Sequence, residues 1–247
     1  MPDAEIAANA EAFRTQLVDK LVANMATTIG HGAAKLDQAY SRLTSLQSWR
    51  TLVLEERLSP AALGFFSEAQ NDGLTSSVLV SMGMWRPAMK SLRSLVENIL
   101  HCLYFQDHPV EYRLWDTGKF RPTFKELFDY FQSHPDVSEL PDNLKGVLDL
   151  KGHYKHLSNV VHSSAREFRM TNEIENLKLW NTTADGVGKW ATTHKNVVRD
   201  VNLLILSLFA KHLQGAALKG HREALALAIP ATRDAAIKAS LGVKIVR

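Results

Sequence analysis

The amino-acid sequence predicts an all-α protein, and three observations carry that expectation. Apolar residues recur at intervals of three and four almost throughout, the period of one helix face. No run alternates β-branched with polar residues between turn dipeptides, so strands are not expected. Helix-start signals punctuate the chain at Ser59-Pro60, Trp85-Arg86-Pro87, His108-Pro109 and Pro122.

Taken in order, residues 4–28 place Ile6, Ala10, Phe13, Leu17, Leu21 and Met25 on one helix face, and Gly30-His31-Gly32 predicts its stop. A second helix is expected over 33–58, with Leu36, Tyr40, Leu43, Leu46 and Leu54 apolar. Ser59 as N-cap and Pro60 at the first helical position start a third, with a break expected at Asn71-Asp72-Gly73 and an end at Gly83. A fourth runs from Trp85 to about Gln106. Short helices follow, carrying Tyr112 and Trp115, then Phe124, Leu127, Phe128 and Phe131. The aromatic residues among these are read as core packing. The segment 133–143 reads as a connector, because Pro, Asp and Ser cluster in it. It leads to a helix over 144–165, an irregular stretch over 167–182, and a long helix over 184–218. Gly220 and Pro230 then divide a short helical tail. The expected organisation is an N-terminal pair of helices (1–58) packing on a helical core (59–219), followed by a basic C-terminal appendage (220–247).

Composition narrows the function classes. With 247 residues the chain can bury a full core. Hydrophobic content of 45% and charged content of 22% are ordinary for a soluble globular protein. A net charge of +3 does not by itself imply nucleic-acid binding, although residues 211–247 carry seven Lys/Arg against two acids. One cysteine, Cys102, excludes an internal disulfide framework and a cysteine-based zinc site. The N-terminus lacks the pattern of a secretory signal, and the apolar run 201–210 is about half the length of a membrane span. A cytoplasmic protein with no membrane segment is expected.

The stretch Gly152–Phe168 draws attention as the end of a helix. Tyr154, Leu157, Val161 and Ala165 form its apolar stripe, with Ser158 at the edge. Lys155, Asn159 and His162 fall within about 60° of one another on one flank. A flank beside a buried stripe partly desolvates a polar group and holds it, which suits a functional side chain. His153 and His156 point elsewhere, toward solvent, and no metal site is expected. The fourth helix repeats the arrangement. Ala88, Leu92, Val96, Ile99 and Leu103 form its buried arc, and Arg93 and Glu97 stand as an i, i+4 pair beside it. Glu97 is expected to orient His162 by accepting its ring N–H. The alternative is that these flanking groups only satisfy neighbouring backbone and fix helix register.

Two short patterns carry a resemblance. Ala88, Leu92, Arg93, Ser94, Leu95 and Glu97 on one helix, and Tyr154, Leu157, Ser158 and His162 on another, resemble bacterial helical proteins of uncharacterised function. Those proteins are in turn similar to the HEPN superfamily (higher-eukaryote and prokaryote nucleotide-binding helical domains). The resemblance covers roughly residues 60–215. It implies an all-α bundle, frequent dimerisation and a setting in toxin–antitoxin or anti-phage defence systems. Active HEPN ribonucleases carry an Arg, usually followed by a polar residue, and then a His after a short spacer. His162 matches that histidine, while Lys155-His156 stands where Arg-polar is found. Lysine offers a phosphate a point charge in place of a planar fork.

The resemblance thus implies a defence or toxin–antitoxin protein acting on RNA without a metal or cofactor. His162 would be the general acid/base, Lys155 the cation, and Arg93 and Glu97 the supporting pair, with Tyr154, Ser158 and Asn159 as binding residues. RNA, an operon-encoded protein and further copies of the chain are its implied partners. The alternative on the same fold is a non-catalytic protein-interaction or regulatory subunit.

Overall fold

The computed structural model describes residues 3–162, 180, 182–213 and 218–247, and no strand occurs among them. The all-α expectation holds. Helix α1 (Asp3–Trp49) leads into one π-helical turn over Arg50–Leu54. Helices α2 (Pro60–Ser81) and α3 (Trp85–Asp107) form a tightly joined pair, followed by α4 (Pro109–Asp116), α5 (Phe124–Ser133) and α6 (Pro135–Ser138). Then come α7 (Val147–Val161), α8 (Ala184–Phe209), α9 (Lys219–Ala228) and α10 (Asp234–Leu241).

The predicted start and stop signals act as expected at several places. The Ser59 hydroxyl accepts the Ala62 N–H, and Gly83 ends α2 at φ 80°. Gly30-His31-Gly32 marks the joint between the two expected N-terminal helices, which follow one another across a kink with no loop between them: Gly32 alone leaves helical geometry (φ −150°, ψ 22°). A Cβ at Gly32 would lie 2.6 Å from Cγ1 of Val187, so this glycine lets α8 approach α1 closely. The break expected at Asn71-Asp72-Gly73 does not occur, and α2 continues through it. A Cβ on Gly73 would stand 2.8 Å from Leu43 Cδ2 and 3.2 Å from Leu95 Cδ1. Both glycines serve packing, a role that local turn chemistry does not reveal.

α8 is the hub. From Val197 to Ser207 all but one turn-facing residue, Arg199, is buried, the pattern of a helix surrounded on every side. Leu46 and Trp49 of α1, Phe66 of α2, Leu92 and Ile99 of α3, and Leu150 and Leu157 of α7 join it in one core. Polar pins fix the packing. Trp190 donates its indole N–H to Ser76 Oγ (2.9 Å), Ser76 donates to the Ala88 carbonyl (2.8 Å), and Trp49 donates to Asn202 Oδ1 (3.0 Å).

Two expected ends shift. α7 stops at Val161 with His162 as its C-cap, and Ala165 lies outside the described residues, as does most of the irregular stretch over 167–182. α8 gives way at Ala210 to a 3₁₀ turn rather than running to Leu218. The C-terminal segment joins the core: Leu225, Ile229, Ile237 and Val243 are buried, and Arg247 grips Asp234 at 2.7 and 2.8 Å. The other end of the chain contrasts with it. Residues 3–16 of α1 are exposed throughout, and burial begins in earnest only at Asn24. Ile6 and Phe13 are each more than half exposed.

Candidate functional site

The sequence-predicted residues divide into two groups. Arg93, Glu97 and Tyr154 meet where α3 crosses α7. Arg93 Nη2 donates to the Tyr154 hydroxyl (2.8 Å), and that hydroxyl donates to Glu97 Oε1 (2.9 Å). Arg93 also pairs with Glu97 directly at 3.0 Å. All three are half-buried. The guanidinium carbon lies 5.1 Å from the centre of the Tyr154 ring, which packs on Phe124 at 4.6 Å. Burial pushes the Tyr154 hydroxyl up to about 12; the Arg93 hydrogen bond opposes that rise and the Glu97 charge adds to it. At neutral pH the phenol therefore stays a donor to Glu97 and an acceptor from Arg93.

Lys155 and His162 stand apart from this joint, both exposed. The expected Glu97–His162 contact is replaced: among the described residues Glu97 bonds Arg93 and Tyr154. The reason is distance along α7, because His162 lies eight residues beyond Tyr154, about 12 Å of helix. Lys155 and His162 do share one side of α7, seven residues and about 10 Å apart along the axis. The Ser158 hydroxyl is buried with no hydrogen-bond partner among the described residues, and Asn159 is half-buried.

His153 is not the solvent-facing residue the helical wheel suggests. Its Nε2 lies 3.1 Å from Oδ2 of Asp200, a fully buried carboxylate on α8 that also takes two hydrogen bonds from Arg199 (2.6 and 2.8 Å). An aspartate inside the apolar run 197–206 was the signal for this cluster, since a buried charge requires partners. Arg86 was also missed. It sits in the first turn of α3, against that helix's dipole, and donates instead to the Val160 and Val161 carbonyls (3.2 and 2.7 Å) at the end of α7. A basic residue at a helix start was its trace in the sequence.

On the far side of α3 a cleft of about 340 Å³ is lined by Arg57, Asp107, His134, Lys211 and His212 above Leu103 and Phe209. Tyr130 and His134 both turn toward Asp107 there, at 2.8 and 3.7 Å. Among the described residues, no group of three or more His, Cys, Asp or Glu side chains is placed to hold a metal ion. No described helix is long and apolar enough to cross a membrane.

No family model, curated protein or solved structure matches this chain. The geometry alone therefore carries the functional argument.

Proposed function

We propose that this chain is a protein-interaction subunit that docks another helix on the free N-terminal half of α1. The observation that supports this reading is the stripe of Ile6, Ala10, Phe13, Leu17 and Leu21. It continues, turn by turn, the face that further along the same segment buries Asn24 and Thr28 against the body. An isolated helix is marginal in water, and apolar residues on its face gain stability only against a partner. The Arg93–Glu97–Tyr154 joint then has a structural role, holding α3 to α7. A double variant, Phe13→Asp with Leu17→Asp, tests the reading. Expected are loss of the protein's complexes by sedimentation and affinity capture, with the thermal transition of the body unchanged. Complexes identical to wild type would refute it.

A second reading follows the HEPN resemblance: an RNA-acting protein of a defence or toxin–antitoxin system, with His162 as general acid/base and Lys155 as the phosphate-facing cation. It is favoured by one observation, that both side chains are exposed on the same side of α7. Its test is incubation of purified protein with total RNA beside His162→Ala. His162-dependent cleavage supports it, and equal lanes, with any captured partner added back, overturn it.

A further inference from the structure

We infer that the partner helix on the N-terminal arm of α1 is the same arm of a second copy, laid antiparallel. This deepens the docking reading and rests on it.

The argument begins with the helical wheel. At 100° per residue, Ile6, Ala10, Phe13, Leu17 and Leu21 fall within an arc of about 80°. Six charged residues lie on residues 3–22: Asp3 stands at the first turn on the stripe's edge, Asp19 on the opposite face, and the other four flank the arc in an ordered way. Lys20 and Glu5 lie on one flank, Lys20 nearer the stripe. Arg14 and Glu11 lie on the other, Arg14 nearer. Both cations border the apolar face, and Glu5 and Glu11 stand one step further out.

Two identical helices can pair parallel or antiparallel, and the charges distinguish the two. Antiparallel pairing about a two-fold axis brings each flank against the same flank of the partner. With the axis near residue 12, Glu5 lies opposite the partner's Lys20 and Glu11 lies opposite the partner's Arg14. One register therefore satisfies both flanks. In that register Ile6 and the partner's Leu17, and Ala10 and the partner's Phe13, lie within about 3 Å of level along the axis, a large residue beside a small one. Each contact occurs twice by symmetry, as an isologous interface requires. Parallel pairing in register would instead set like residue on like residue along the stripe, Phe13 on Phe13 and Ala10 on Ala10, and gives neither charge pair.

The overlap is sufficient for a stable pair. Residues 3–22 of both arms align over about 30 Å, more than five turns. Among the described residues, nothing else in the chain covers residues 3–16. The single cysteine, Cys102, is fully buried, so engineered thiols on the arm can be read without interference.

The test uses the full chain. Sedimentation of wild type is expected to show a dimer at tens of micromolar. Lys20→Glu is expected to weaken it about tenfold, since both copies lose an attractive pair and gain a repulsive one. Adding Glu5→Lys to Lys20→Glu is expected to restore it. Ile6→Cys and Leu17→Cys variants give an independent readout under mild oxidation. Neither alone is expected to cross-link, because like positions lie more than about 15 Å apart along an antiparallel pair, whereas their mixture is expected to cross-link. Cross-linking of each variant alone would mean parallel pairing and would overturn the inference. A wild-type monomer with no cross-link in the mixture would overturn it as well. If, in that case, Phe13→Asp with Leu17→Asp still loses a captured partner, the docking reading survives without self-pairing.

Discussion

Acidification should destabilise this protein through two histidines that its fold holds neutral. His194 on α8 is fully buried, 5.1 Å from the Trp190 ring, and neither ring nitrogen has a hydrogen-bond partner among the described residues. Burial, and next the charge of Arg42, bring its pKa down to about 3. His221 is brought down to about 4, again by burial first and then by Arg222. In the unfolded chain both titrate near 6.5. Below that pH the unfolded state binds protons the native state refuses, so stability falls as pH falls, by about 1.4 kcal/mol per unit for each group. At pH 5 each histidine has removed about 2 kcal/mol relative to pH 7. Asp72 works the other way. Burial raises its pKa to about 6, the Asn98 hydrogen bond lowering it and the charges of Glu68 and Glu97 raising it, so the native state takes up a proton early. Asp72 is half-exposed and solvent screens its surroundings, so that returns less than about 1 kcal/mol by pH 5, leaving a net loss of about 3 kcal/mol. Urea unfolding followed by tryptophan fluorescence at pH 7 and pH 5 measures it. His194→Leu should cut the loss to about 1 kcal/mol, and should stabilise the protein at pH 7 by about 1–3 kcal/mol by removing two unpaired buried nitrogens. If wild type and His194→Leu lose the same stability between the two pH values, within about 0.5 kcal/mol, the reasoning is wrong.

Three further outcomes follow from the geometry. Tyr154→Phe removes the hydroxyl shared by Arg93 and Glu97 and should cost about 1–2 kcal/mol in urea unfolding, moderated because Arg93 and Glu97 remain paired; an unchanged midpoint would mean the joint is not held by the phenol. Gly146→Ala should cost more than about 2 kcal/mol, since Gly146 sits at φ 66° and a Cβ would run into the Asp200 carbonyl and stand 2.7 Å from the Leu204 nitrogen; a thermal midpoint within a degree or so of wild type would contradict that. Asp200→Asn should cost about 3–5 kcal/mol by leaving Arg199 without its bidentate partner, and a loss below about 1 kcal/mol would show that solvent replaces the pair.

Helix existence was readable because apolar spacing and caps are local. Ser59, Pro60 and Gly83 each act through neighbours a few residues away, and they mark their boundaries correctly. Gly32 marks a real joint, whereas Gly73 breaks nothing, and the packing role of both is hidden from the sequence because it is long-range: each makes room for a side chain from another helix, Val187 in one case and Leu43 in the other. The Thr123–Glu126 capping box at the start of α5 was legible but was masked by the neighbouring Pro122. At the candidate site, the wheel placed Arg93 and Glu97 correctly on the edge of a buried face. It could not say which residue of α7 would reach them, because that depends on how far the two helices slide past each other. Tyr154 meets them and His162 does not. His153 likewise looked solvent-facing because Asp200, its partner, lies 47 residues away.

The irregular residue at Gly32 has a mechanical consequence. Asn24 and Thr28 are buried between that glycine and the free arm, so the roughly 44 Å of helix from Gly32 to Asp3 bears on the body over its last two turns and is free only beyond them. Rotation of the free part by roughly 10° sweeps its tip, about 30 Å away, through about 5 Å. The kink behind it lies against Val187, beside the hydrogen bond between His31 and the Thr182 carbonyl (2.8 Å). Force applied at the tip is therefore delivered as torque to the start of α8, the helix around which the whole core is built.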